Sequence, residues 1–126
     1  MAQEPKTVVE EYFRLMHGAG PDNMAFLKTF AADAVLVEPF SGKPLTHTGI
    51  KAIETSFRTT WQYQPMPNFQ IRIGQVEVAG ERVRAEWSCT WEGLPGWMRG
   101  VDDFEVRGGK IARMEVTVTE MPGAPK

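Results

Sequence analysis

The sequence predicts an α+β fold, a cone-shaped roll with three N-terminal helices packed on a strongly curved antiparallel sheet. Three observations carry that expectation. As far as Trp61 the dominant apolar spacing is helical, as in Val8, Val9, Tyr12, Phe13, Leu15 and Met16. From Phe69 to the tail the period is two. Between the two regimes, Gln62 to Asn68 carries Pro65 and Pro67 and reads as an extended connector in which no helix survives. Helices followed by a meander of long strands make a layer of helices on one face of a sheet.

The first helix is expected to open near Pro5, since proline suits a first-turn position, and to close around His17, where Gly18 and Gly20 supply helix-stopping conformations. Glu10, Glu11 and Arg14 lie opposite its apolar stripe. A second, short helix is expected to open at Pro21 or Asp22, with Met24, Phe26, Leu27 and Phe30 inside. A turn at Asp33 leads to a strand, Ala34 to Glu38, which Pro39 ends because proline has no N–H for a sheet ladder. Ser41 to Pro44 reads as loop, and Thr48 as the cap of a third helix running to about Trp61, with Ile50, Ile53, Phe57 and Trp61 inside. Phe69, Ile71 and Ile73 share one strand face, but past Gly74 the apolar positions become Val76 and Val78. A glycine at a phase slip predicts a β-bulge. Ala79-Gly80-Glu81 turns into a long strand with Val83, Ala85, Trp87, Cys89 and Trp91 on its apolar face. Gly93 to Gly96 turns again, the next strand runs from Trp97 to Arg107, and Gly108-Gly109 makes a tight hairpin into Lys110 to Glu120. Residues 121–126 read as a flexible tail.

A chain of 126 residues, 42% hydrophobic and 24% charged, fits a single domain spanning 1–126 with the ordinary balance of a soluble globular protein. Lys and Arg number 14 against 16 Asp and Glu, mixed along the chain, which leaves no positive stripe and argues against nucleic acid or membrane as partner. Cys89 is the only cysteine, so no intrachain disulfide can form, and a reducing compartment follows. The N-terminal stretch has neither a signal-peptide run nor a membrane-length apolar segment. A cytoplasmic location is expected.

Three polar groups stand at apolar positions. Glu38 ends its strand on the same face as Leu36, by the period-two geometry of a strand; such a carboxylate lies either at an exposed sheet end or against an apolar cavity. Tyr12 falls inside the buried stripe of the first helix, where a tyrosine also serves as core filler. Asp102 alternates with Gly100 and Phe104 on the apolar face of its strand, where an isolated carboxylate is costly unless protonated or hydrogen-bonded.

The segments EYFRLMH, FAADAVLVEPFSG, THTGIKAIETSFRTTW, TWEGLPG, GVDDF and GGKI resemble the nuclear transport factor 2-like superfamily, in particular its SnoaL-like and ketosteroid isomerase-like branch, over roughly Val8 to Thr119. The resemblance implies the cone-shaped, cystatin-like roll. It also implies roles. The base of ketosteroid isomerase, an aspartate before Pro-Phe on the first strand, is matched by Glu38 before Pro39-Phe40. Its oxyanion-hole tyrosine on the first helix is matched by Tyr12. Its oxyanion-hole aspartic acid, downstream of a Trp-x-Gly-x-Pro turn, is matched by Asp102. Two departures stand out: glutamate replaces aspartate as base, and Phe57 occupies the place of a supporting tyrosine on the third helix. On this resemblance Glu38 would abstract a proton beside a carbonyl while Tyr12 and a protonated Asp102 donate to the enolate oxygen, the division of labour known for that isomerase. No cofactor or metal is needed, and a homodimer through the outer sheet face is implied. The expected wall for a hydrophobic small-molecule ligand comprises Phe57, Trp87, Met98, Phe104, Met114, Val116 and Val118.

Other chemistries lack their residues. His17 and His47 are far apart in sequence and lack the clustering of a metal site; His47, in a polar loop, reads as a solvated histidine. Cys89 on an apolar strand face reads as core. No phosphate-binding glycine loop occurs, and where the epoxide hydrolases of this fold use an Asp-Arg-Asp arrangement, the inward strand positions hold Trp87 and Cys89. Two classes remain: a small hydrophobic-carbonyl isomerase or cyclase, which the three matches favour, and a non-catalytic module that binds an apolar ligand or dimerises.

Overall fold

The computed structural model describes residues 3–123. Its elements run α1 (Pro5–Met16), a short 3-10 helix (Ala25–Thr29), β1 (Phe30–Glu38), β2 (Leu45–Thr48), α2 (Ile50–Tyr63), β3 (Gln70–Ala79), β4 (Arg82–Thr90), β5 (Met98–Arg107) and β6 (Lys110–Glu120). All six strands join one curved sheet in the order β2-β1-β6-β5-β4-β3. On its inner face α1 crosses β3 to β6, and α2 lies against β1 and β2. Among the described residues no helix is long and apolar enough to cross a membrane.

Apolar periodicity decides what faces inward. Val8, Val9, Tyr12, Phe13 and Met16 of α1 are all buried, one stripe of a 3.6-residue period. On β4 the buried set is Val83, Ala85, Trp87 and Cys89, and on β5 it is Met98, Gly100, Asp102, Phe104 and Val106, the alternation a pleated strand imposes. The bulge expected at Gly74 is present as a register shift between Ile73 and Val76 in the β3–β4 pairing. Met121 to Gly123 continue past β6 as a turn with Pro122 half-buried, and the remainder of the expected tail, 124–126, lies outside the described residues.

Four expectations are corrected. The second of the three helices is only a five-residue 3-10 turn, because Phe30 already belongs to β1, opposite Ile111 of β6, and the Thr29 hydroxyl donates to the Phe26 carbonyl at 2.7 Å, closing the turn. Only α1 precedes the sheet; α2 follows two strands. The sheet is not wholly antiparallel either, since β1 and β6 pair in parallel. Finally, the loop leading into α2 contains a strand, β2, paired antiparallel with β1. Gly49, at φ 93°, stands at the α2 N-terminus where a Thr48 cap was expected, and no side chain caps that end; its N–H instead donates to the Ala34 carbonyl at 2.8 Å.

One glycine governs packing under the sheet. A Cβ at Gly100 would lie 2.2 Å from Trp87 Cζ2 and 2.4 Å from the Thr117 carbonyl oxygen, so the indole of β4 lies across the backbone of β5 only because residue 100 has no side chain. Gly100→Ala is expected to destabilise the protein by about 1–3 kcal/mol, the usual cost of overpacking a core, seen as a lower urea midpoint with an unchanged m-value. A midpoint equal to that of the wild type would show that both the indole and the Thr117 backbone can give way.

Candidate active site

Glu38 is placed by three neighbours on three different segments. It is the last inward residue of β1, after Ala34 and Leu36, and is 6% exposed. Pro39 ends the strand, and the chain turns so that the Phe40 N–H donates back to Glu38 Oε1 at 2.9 Å. β2 then returns antiparallel with His47 opposite Leu36 and Leu45 opposite Glu38, which sets His47 diagonal to Glu38 on one face. Its Nε2–H donates to Glu38 Oε2 at 2.8 Å, the carboxylate partner selecting that tautomer. From α2 the Ser56 hydroxyl donates to the same oxygen at 3.2 Å. An ionised carboxylate offers about four lone-pair positions; with two donors on Oε2 and one on Oε1, the remaining capacity lies on Oε1.

Asp102, 3% exposed, receives one hydrogen bond, from Trp87 Nε1–H to Oδ1 at 2.8 Å. Burial pushes its pKa up to about 8, against the lowering effect of the Trp87 bond, and the charge of Asp103 adds to the rise. The group is therefore mostly protonated at neutral pH and able to donate from its second oxygen. Tyr12 is held edge-on by Phe13, Phe26, Phe30 and Phe104, with ring centroids 5.2, 6.1, 5.8 and 5.7 Å away. Burial first, and nearby Asp102 second, keep its phenol pKa well above the usual value, so the hydroxyl stays a donor.

Tyr12, Glu38 and Asp102 line one inner chamber of about 80 Å³, with Ser56, Phe57, Trp87, Met98 and Val116 among its walls. Glu38, Ser56, Met98 and Val116 also line an outer mouth of about 880 Å³, which His47 and Val118 border as well. Phe104 and Met114 line neither space; both are buried core residues at 2% exposure. Cys89 reaches the chamber wall, but burial, then the charge of Asp102, pushes its thiol up to about 12, so it stays protonated and unreactive. Among the described residues no group of three or more His, Cys, Asp or Glu side chains could hold a metal ion.

His47, expected to be solvated, is instead bonded to Glu38. Its signal was the alternating Leu45-Thr46-His47-Thr48, a short strand pattern after a six-residue turn. Ser56 is a second partner that its own segment does not announce; its signal is its place three positions after Ile53 on the inner face of α2. Trp87 was expected as wall only; its pairing with Asp102 needs the β4–β5 register, which sets Ala85 opposite Asp102 and Trp87 opposite Gly100.

The chain matches the family model of the SnoaL-like domain over residues 9–114. It belongs to the SnoaL-like family, within the nuclear transport factor 2-like superfamily. Solved structures share the fold. A candidate ketosteroid isomerase from Kribbella flavida is 19% identical over 97% of this chain and 82% of that one, with a TM-score of 0.69. A candidate polyketide cyclase from Sinorhizobium meliloti is 19% identical over 91% of this chain and 100% of that one, also at 0.69. TerC, co-crystallised with polyporic acid, is 17% identical over 91% of each chain, at 0.72. No curated protein matches the chain in sequence.

The Asp102 proton has a consequence for stability. Its carboxyl titrates near 8 in the folded protein against an ordinary 3.8, so the folded state binds this proton more tightly than the unfolded chain. The contribution of Asp102 is fully present below pH 4, falls as pH rises toward 8 and levels off above that. Asp102→Asn keeps the shape, the acceptor for Trp87 and a donor, and loses the titration. Urea midpoints measured from pH 4 to 9 should shift progressively in favour of the variant as pH rises. Parallel curves for the two proteins would mean that Asp102 is ionised throughout.

Proposed function

We propose that the protein is an isomerase or cyclase for hydrophobic carbonyl compounds, working by proton abstraction beside a ketone. The observation that carries the reading is the convergence of Glu38, Tyr12 and Asp102 on one apolar chamber. In the isomerase form, Glu38 Oε1 takes a proton from the carbon between the carbonyl and the double bond of a β,γ-unsaturated ketone. The electron pair moves onto the carbonyl oxygen, where the Tyr12 hydroxyl and protonated Asp102 donate to the forming dienolate. Glu38 then returns the proton to the γ-carbon, giving the conjugated enone. A chamber of about 80 Å³ is smaller than the 300–1,000 Å³ or so of a pocket that encloses a whole ligand. The keto end of the substrate therefore enters the chamber, and its body rests in the mouth between Phe40, Leu45, Tyr63 and Met121, all exposed apolar or aromatic side chains. Relatives of the same fold described as a candidate isomerase and a candidate cyclase support the class of chemistry.

The test is an absorbance assay for conjugated enone formation with a panel of steroid and smaller cyclic ketones. Glu38→Gln should abolish nearly all turnover. Tyr12→Phe should cost about 3 kcal/mol, on the order of a hundredfold in rate, the usual loss of one oxyanion donor. Asp102→Asn should be milder, because an amide still donates. No turnover across the panel, or turnover indifferent to Glu38→Gln, would leave a module that binds an apolar ligand as the better reading.

The same reading takes the protein as a homodimer through the outer sheet face. That face carries cross-strand ion pairs such as Arg84–Asp103 at 3.3 Å and Arg82–Glu105 at 3.5 Å, exposed pairs that contribute little alone but can be exchanged between two copies. Sedimentation showing a monomer at micromolar concentration would refute it.

A further inference from the structure

We propose that His47 is the positioning residue of the base: its imidazole holds the Glu38 carboxylate so that Oε1 alone meets the substrate. The inference deepens the reading above and rests on Glu38 acting as the base. Glutamate carries one more torsion than aspartate, and its terminal torsion is broad and only weakly staggered. Left to itself such a carboxylate presents either oxygen in many directions. Here Oε2 accepts from both His47 at 2.8 Å and Ser56 at 3.2 Å, while Oε1 accepts only from the Phe40 N–H at 2.9 Å. The His47 contact is the shortest of the three. It also comes from a strand whose register with β1 is set by four successive pairs, Val35 with Thr48 through Glu38 with Leu45, so the backbone fixes where the imidazole stands.

Position along the cavity supports the same role. His47 borders the outer mouth and not the inner chamber that Tyr12 and Asp102 line. It therefore grips Glu38 from the mouth side, with the reacting carbon approaching from the chamber side. The imidazole touches the base and not the oxyanion donors, so its loss should disturb proton transfer while substrate binding persists.

The experiment measures kcat and KM for the ketone substrate in wild type, His47→Leu, His47→Gln and Ser56→Ala. Leucine keeps much of the bulk without a donor; glutamine restores an N–H donor near the place of Nε2. His47→Leu should lower kcat about a hundredfold, the usual effect of misplacing a catalytic group by about 1 Å, with KM little changed. His47→Gln should recover most of that loss, and Ser56→Ala, which leaves the shorter bond to Oε2, should lose less than His47→Leu. A loss carried by KM, or equal losses in His47→Leu and His47→Gln, would overturn the proposal. If the wild type turns over no ketone, the failure belongs to the functional reading, and positioning is read instead from ¹⁵N spectra of the imidazole. The wild type should show a downfield, slowly exchanging Nε2–H proton bonded to the Glu38 carboxylate, and Glu38→Leu should lose it. The same Nε2–H signal in both proteins would overturn the grip of His47 on Glu38.

Discussion

Two carboxyl groups share one small apolar chamber, and two charges there would face both desolvation and mutual repulsion. The molecule separates them by the donors it supplies. Glu38 accepts from a backbone N–H, an imidazole and a hydroxyl, the pattern an ionised carboxylate satisfies. Among the described residues Asp102 accepts from the Trp87 indole N–H alone, and burial leaves it protonated near neutrality. Charge at one wall and a neutral donor at another is what proton abstraction next to a carbonyl requires.

That division depends on the frame around it. Glu38 needs the turn at Pro39, the return of β2 and the inner face of α2 at once, so its three donors assemble only when the edge of the sheet and the helix over it have formed. Asp102 needs the indole of Trp87, which lies where it does because Gly100 is bare. Both carboxyls are thus set by backbone features remote from chemistry: a proline, a short strand and a glycine.

Tyr12 is oriented differently. Phe57 stands where the resemblance places a tyrosine, and its ring packs on Phe26 with centroids 4.7 Å apart. With no hydroxyl at residue 57, Tyr12 is steered by the four phenylalanine rings around it, whose edge-on contacts each contribute roughly 0.5–1.5 kcal/mol beyond area burial. Packing of aromatic rings, rather than a hydroxyl at residue 57, sets the orientation of the Tyr12 ring.

Much of this was legible in the amino-acid order. The helical stripe of α1, the two-residue period of β3 to β6, the slip at Gly74, the inward positions of Tyr12 and Asp102 and the face that Glu38 shares with Leu36 are all local repeats, and local repeats survive in one dimension. The segment between Gly18 and Phe30 misled because its apolar spacing is compatible with a helix, whereas Phe30 is claimed by a strand more than eighty residues away. The parallel pairing of β1 with β6 was hidden for the same reason. His47 and Ser56 looked ordinary since nothing in their own segments shows that a carboxylate will be there. Trp87 and Asp102 are fifteen positions apart, and their bond follows only once β4 and β5 are aligned. Sequence by itself determined the period of each element and hence which apolar residues share a face. Tertiary structure decided which inward polar groups meet, because hydrogen bonds act over about 3 Å and only the folded sheet and the helix upon it bring distant segments that close.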